Sequence, residues 1–460
     1  MNKNNNLIFC LWLLLFVSCT KSDFLSKKPN TSITIPSSVS DMMQLLDNQN
    51  VMAYNSPAAG FLSADEYYYP TKASYDASRT KTEKNLYIWN RDIYEGENNI
   101  PDWNQPYSAI LYANVVLESW DKLSQVEKDS ENGRFVKAWA LFDRAFNYHN
   151  LVQTFSAVYD KSTANTDLGV PLKLTANVNE IKQRATLDQC YSQIIDDLTN
   201  AVNLFTITIS SGKLNRPSKS SAYALLSRVY LYMRDYKKAG EYADSTLNLY
   251  NKLIDYNTLD VNSDIPFTLD NPEILFYNIS NLVYIEMVVN YGSTIMDTTL
   301  VNFFSSDDLR GQVFFKVNKG DYLMKVGYNA IGGYPFTGLA IDEVYLTKAE
   351  CEARVGNMED AKNTLNTLLI NRYKIGTYMP FDSNVKDEVL NKILLERRKE
   401  LVWRGIRWQD IRRLNKEGAN IILKRQVGDA SYILAPNDPK YIMPIPDDEI
   451  SLSHIQQNMR

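Results

Sequence analysis

Between Leu394 and Leu414 the chain packs arginines, a lysine and carboxylates among leucines, isoleucines and tryptophans, and this stretch limits the fold more than any other. Leu390, Leu394, Leu401, Trp408 and Ile411 fall near helical spacing, which predicts one buried stripe. Arg397 lies on the same stripe, and a buried guanidinium must be paired. Glu400, three residues on, is the nearest candidate partner, with Arg404 one turn beyond it. Gly405 is expected to end a first helix, and a second should run from about Arg407. The pattern predicts a core helical hairpin held by ion pairs, with Arg397, Glu400, Arg407, Trp408 and Asp410 in structural roles. The competing reading, a catalytic carboxylate with an arginine clamp, lacks an accompanying nucleophile, metal motif or phosphate loop.

The chain has 460 residues, 45% of them hydrophobic, enough for a large core and for two or three domains. A formal net charge of −5 offers no basic surface to nucleic acid. The two histidines, His149 and His454, are far apart in sequence, which argues against a histidine-based metal centre, and no cofactor motif is present. The 30 tyrosines and 7 tryptophans suit polar ligands, because such rings give stacking area together with a hydrogen-bonding tip. They suit helical-repeat cores equally well.

Lys3 and the apolar run Leu7–Val17 resemble a signal peptide, too short to span a bilayer comfortably. Phe16-Val-Ser-Cys19 follows it and resembles a lipobox, so residues 1–18 are expected to be removed and Cys19 lipidated. Loss of Lys3 takes the net charge from −5 to −6. No later segment is apolar enough to cross a membrane, so the expected attachment is by acyl chains, at about 0.8 kcal/mol per buried methylene. Cys190 and Cys351 sit in separate helical patterns and are expected to be small core residues.

Residues 20–36 are polar and expected to be an extended tether. Residues 38–50 have a helical pattern, whereas 54–105 lack periodicity and hold Tyr67-Tyr68-Tyr69, Tyr87, Trp89, Tyr94 and Trp103 as an irregular aromatic-rich loop. Helices are predicted over Tyr107–Leu123, Phe135–Thr154 and Leu187–Leu204. Lys219–Tyr250 then shows Ala222, Leu225, Leu226 and Val229 on one face, a turn at Asp235-Tyr236, and Ala239, Ala243 and Leu247 on a second helix. Small residues at the crossing and a length near 34 residues are the tetratricopeptide pattern. Asp342–Arg372 repeats it around Gly356-Asn357, and 107–154 and 187–230 are weaker copies. Such hairpins must stack to bury their faces. Residues 260–340 do not repeat and read as an insertion of short strands and long loops, the kind of segment through which a helical scaffold binds.

Glu396-Arg-Arg-Lys-Glu400-Leu401 with Gly405-Ile-Arg407-Trp408-Gln-Asp410-Ile-Arg-Arg413 resembles the signature block of the RagB/SusD family of outer-membrane lipoproteins. Tyr441-Ile-Met-Pro444-Ile-Pro446-Asp-Asp-Glu449 with Gln457-Asn458 resembles the family's closing motif. Phe24-Leu25 before Pro29 and Gly169-Val-Pro171 resemble two of its earlier elements. Arg404 departs from the family, which usually has Glu there. The resemblance implies a mainly α, tetratricopeptide-repeat scaffold with long irregular loops and short strands. It divides the chain into a signal peptide (1–18), an N-terminal part (19–215) and a C-terminal part (216–460). It also implies a lipid-anchored outer-membrane protein that is not an enzyme. Such a protein captures an oligosaccharide, or in some members a peptide, and acts as the hinged lid of a SusC-like TonB-dependent transporter.

A glycan ligand needs flat rings for the apolar C–H face of each sugar and polar groups for its hydroxyl rim. Tyr67, Tyr68, Tyr69, Trp89 and Trp103 in the first loop, and Tyr284, Tyr291 and Tyr334 in the insertion, are the candidate ligand residues. Trp89 and Tyr291 lead, with Asn90 and Asn290 beside them. The same rings could instead pack the loops onto the helices. A lipid-anchored adaptor and a glycoside hydrolase are the rival classes. The latter needs two carboxylates facing one groove, and Asp307-Asp308 is a pair of that kind in sequence.

Overall fold

The computed structural model describes residues 35–460 except 211, 282, 285–292 and 331–334. Cys19, Asn290, Tyr291 and Tyr334 lie outside the described residues. Residues 36–460 form one unit, built among the described residues on nine long helices. They are α1 (Pro101–Asp121), α2 (Glu131–Phe155), α3 (Leu187–Leu204), α4 (Lys219–Met233), α5 (Tyr236–Leu249), α6 (Ile341–Val355), α7 (Met358–Leu369), α8 (Lys386–Glu400) and α9 (Arg407–Lys416). Each helix from α1 to α7 packs on the next, and α8 closes against α6. This is the stacked-hairpin scaffold that the repeats predict.

Local chemistry sets the helix ends. Thr186 caps α3 through a capping box with Gln189, and Ser218 caps α4 in the same way with Ser221. The α4–α5 turn places Arg234 in the left-handed region and lets the Asp235 side chain accept from Lys238 N. Gly356 ends α6 at φ +100°, a conformation that costs glycine nothing. Cys190 and Cys351 are buried and unpaired.

Among the described residues, ten short strands make five two-stranded antiparallel pairs. β1 (Tyr67–Tyr68) pairs β5 (Ile295–Met296), with Tyr67 opposite Met296. β2 (Leu168–Pro171) pairs β3 (Arg184–Thr186), so Gly169-Val-Pro171 is strand. β4 (Ile274–Phe276) pairs β8 (Leu339–Ala340), β6 (Phe315–Asn318) pairs β7 (Asp321–Met324), and β9 (Leu423–Val427) pairs β10 (Ala430–Leu434). Among its described residues the insertion is thus short strands and loops, as its composition suggests, with single helical turns at Thr298–Val301 and Arg310–Phe314.

Residues 54–105 are more ordered than their lack of periodicity implies. They hold short helices at Ala59–Ser63, Lys72–Asp76 and Lys81–Tyr87, the last two opened by capping boxes at Thr71 and Thr80. Helix α1 begins at Pro101, a residue suited to the first helical turn, so Trp103 is helical. Two expectations for the signature also need correction. Helix α8 ends at Glu400, and a turn over 401–405 separates it from α9. Gly405 serves that turn: its φ is +71°, and a Cβ there would sit 2.8 Å from the Phe61 ring. The buried face of α8 carries Val389, Ile393, Glu396, Arg397 and Glu400, while Leu390 and Leu394 are only half-buried. Charged residues that find partners take the interior positions, which rotates the buried stripe by about one residue. Leu401, Trp408 and Ile411 are buried as expected.

Candidate ligand-binding face

The signature is a junction of buried ion pairs. Arg397 donates through Nε to Asp410 Oδ2 at 2.8 Å, not to Glu400. Arg413 reaches Asp410 at 2.7 Å and forks onto Glu350 at 2.6 and 2.7 Å. Glu400 instead accepts from Arg310 Nη1 at 3.0 Å and Arg372 Nε at 2.7 Å. Arg310 comes from the insertion, is fully buried, and also meets Glu396 at 2.5 Å and Asp308 at 2.7 and 2.8 Å. Arg404, the departure from the family pattern, pairs with Asp342 at 3.0 Å and lies over Tyr328 and Phe336. Asp308 is bound by Arg310 and by Lys399 at 2.7 Å, while Asp307 is paired with Lys374 across 3.8 Å. The two neighbouring acids therefore do not face one groove.

The same block fastens the aromatic loop. Arg407 donates from Nε and Nη2 to the two oxygens of Asp65 at 2.7 and 2.9 Å, and Arg398 adds a third bond at 3.1 Å. Burial opposes ionisation of Asp65, but Arg407 and Arg398 hold its carboxyl well below the usual range. Next to it, burial pushes Glu66 up to about 7, and its carboxyl accepts from Trp403 N at 3.0 Å. Arg425 of β9 donates to the carbonyls of Tyr67 and Ala64 and lies 4.3 Å from the Tyr87 ring centre and 5.0 Å from that of Tyr67. Asp102, in the first turn of α1, accepts from Ala58 N and Ala59 N at 2.9 Å each and from the Asn281 amide. None of Asp65, Glu66, Asp102 or Arg425 stands out in the sequence, since each is a single charge whose partner is remote.

Tied down in this way, most of the candidate rings turn inward. Trp89 is 3% exposed, and its indole N–H donates to Ser63 O at 3.0 Å. Tyr67 donates to Leu62 O at 2.9 Å and packs edge-on against Trp403, while Tyr69 and Tyr87 stack edge-to-face at 4.7 Å. Trp103 packs on Phe155 at 5.0 Å and donates to Glu449 at 3.4 Å, and Tyr284 is buried as well. These rings therefore glue the loop to the scaffold, because each buries its face while its polar tip meets a nearby hydrogen-bonding group. Tyr68 and Asn90 remain half-buried at the rim, Asn90 donating to Asn85 Oδ1 at 3.0 Å. Tyr68 lies near Asp297 and Asp321, where burial and then these two carboxylates push its hydroxyl up.

One cavity lies where the signature turn meets α2 and α4. His149, Gln153, Arg228, Tyr232, Arg404 and Trp408 line it, and its volume is about 40 Å³. That is room for a few water molecules rather than a sugar ring. Burial and then Arg228 bring His149 down to about 3, so its imidazole is neutral.

The comparisons agree with this architecture. A SusD-like family described as "starch-binding associating with outer membrane" matches residues 23–231, and the SusD family matches residues 339–459. SusD-like protein P2 of Formosa agariphila is 31% identical over 146 residues, 32% of this chain. The match spans about a quarter (26%) of that curated relative's length. A SusD superfamily structure from Bacteroides thetaiotaomicron superposes with a TM-score of 0.74 at 23% identity, covering 92% of this chain and 100% of the other. A surface glycan-binding protein A from Bacteroides fluxus gives 0.70 at 16% identity, covering 92% and 99%. The chain belongs to the SusD/RagB family and has its tetratricopeptide-like fold.

Proposed function

We propose that this protein is a lipid-anchored outer-membrane binding protein that captures an oligosaccharide. It passes the ligand to a SusC-like TonB-dependent transporter, for which it acts as a hinged lid. Family membership carries this reading: family models match both ends of the chain, and the shared fold covers 92% of it. The glycan class is supported by the family description and by the structural likeness to a surface glycan-binding protein. In this reading residues 1–18 are a signal peptide, Cys19 carries the lipid, and no described helix is long and apolar enough to cross a membrane. Tyr68 and Asn90 at the loop rim are ligand-facing groups, and Asn290, Tyr291 and Tyr334 keep the role expected of them.

Calorimetry with matched panels of oligosaccharides and oligopeptides, followed by a turnover assay on any ligand found, tests the reading. Binding of an oligosaccharide without turnover supports it. Binding of peptides alone would move the protein to the peptide-binding branch of the family, and turnover would make it an enzyme. Co-purification with a SusC-like transporter from the native membrane tests the lid role separately.

A further inference from the structure

With the candidate rings of the first loop mostly buried, the tetratricopeptide hairpin α4–α5 offers a different aromatic surface. Tyr230 and Tyr242 stack almost parallel, 6° apart with centres 5.5 Å from each other. Tyr223 continues the row beside Tyr242 at 6.0 Å and 30°. Lys238 closes the other end, its Nζ lying 4.9 Å from the Tyr230 ring centre and 3.4 Å from its hydroxyl. The row is therefore capped by a cation at Tyr230 and, among the described residues, by no further ring at Tyr223. Tyr223 opens onto a surface hollow of about 700 Å³ that it shares with Lys219, Thr208, Ser245 and Leu249. It is an open, shallow surface rather than an enclosed pocket, the form suited to one face of an extended chain.

The lining of this hollow has the two halves that a sugar requires. Tyr223 presents a half-buried ring, and Leu249 adds an exposed apolar side chain. The Lys219 ammonium and the Thr208 hydroxyl supply hydrogen-bonding groups, and neither has an ion pair or side-chain hydrogen bond among the described residues. The rim is also fixed. Lys219 N donates to Ile207 O at 3.0 Å, and Ser220 donates to Thr208 O from its backbone N–H at 3.1 Å and its hydroxyl at 2.6 Å. A ring on the rigid start of α4 loses little freedom on stacking, which favours it as an anchor.

We propose that Tyr223, backed by Tyr242, is a carbohydrate-binding platform on the helical scaffold, taking one pyranose ring of an oligosaccharide on its face while Lys219 and Thr208 bind that ring's hydroxyls. This proposal rests on the glycan-capture reading above. The site is distinct from the aromatic loop, so it gives a long glycan a second point of attachment.

Isothermal titration of the full chain with maltohexaose, cellohexaose and xylohexaose tests it, using wild type, Tyr223→Ala, Tyr223→Phe and Lys219→Ala, each checked for an unchanged melting temperature. For the sugar that wild type binds, Tyr223→Ala should weaken affinity at least tenfold and Lys219→Ala several-fold. Tyr223→Phe, which keeps the ring, should stay close to wild type. Lys219→Ala removes only a partly exposed side chain, so it remains informative even if Tyr223→Ala folds poorly. Wild-type affinity in both Lys219→Ala and a folded Tyr223→Ala would overturn the platform and leave glycan capture standing. A wild type that binds none of a broad glycan panel would remove both.

Discussion

Arg407 and Asp65 form a two-pronged ion pair, 2.7 and 2.9 Å long, across 342 residues of sequence. It joins the second signature helix to the base of the aromatic loop, and Arg310 on Glu396 and Glu400 joins the first signature helix to the insertion. The signature is thus the anchor of both irregular segments on the scaffold.

Arg407→Ala should therefore destabilise the protein by about 1–3 kcal/mol, because it leaves the partly buried Asp65 carboxylate with Arg398 alone. Arg407→Lys keeps the charge but loses the fork, and should cost less. Urea denaturation of the two variants gives the difference.

Arg425→Ala should loosen the loop without unfolding the scaffold. It removes the donors on the Tyr67 and Ala64 carbonyls and the cation over the Tyr87 ring. Hydrogen exchange should quicken across residues 59–69 and stay slow in α4 and α6.

Trp89→Ala should act on stability rather than on binding alone. The ring is buried and bonded, so its removal should cost about 3–5 kcal/mol by leaving a cavity. A melting temperature equal to wild type, together with lost ligand affinity, would return Trp89 to the ligand site.

Stability should depend on pH in two opposite ways. Burial opposes ionisation of Glu350 and Glu396, but Arg413 beside the first and Arg310 beside the second bring each from 4.5 down to about 2. Their contribution is complete above about pH 5 and is lost as pH falls toward 2, because the unfolded chain takes up protons first. Glu66 has the reverse sign: burial raises it from 4.5 to about 7, so stability falls as pH rises through that interval. Glu66→Gln should keep the bond from Trp403 N and should gain about 1–3 kcal/mol over wild type at pH 8, with little gain at pH 4. Denaturation midpoints from pH 3 to 8 provide the check.

Cys19→Ala should abolish labelling by a radioactive fatty acid and release the protein from the membrane fraction with its fold unchanged. Full retention in the outer membrane would remove the lipid-anchor assignment.

How much of this could be read from the chain follows from the range of the forces. Lys219–Tyr250 and Asp342–Arg372 are legible almost to the residue, because alanines at a helix crossing and a capped turn are local signals. The orientation of α8 was legible only in part: Arg397 falls on the predicted stripe, but Glu396 and Glu400, which apolar periodicity assigns to the surface, take interior positions as well. Arg397 illustrates the difficulty: Glu400 is closer in sequence, yet Asp410 is the partner because the turn at 401–405 brings the first turn of α9 within reach of Arg397. The rings of the aromatic loop were ambiguous for the same reason. Partners as remote as Arg425, 358 residues beyond Tyr67, decide that they face inward.

That separation also sets an order of events during biogenesis. A chain emerging residue by residue presents Tyr67, Tyr87 and Trp89 long before Arg407 and Arg425 exist to hold them. Loop closure over such distances is slow, and apolar rings awaiting their partners are open to aggregation. Folding of the aromatic loop therefore has to wait for the last tenth of the chain, and until then its rings stay open to misassociation.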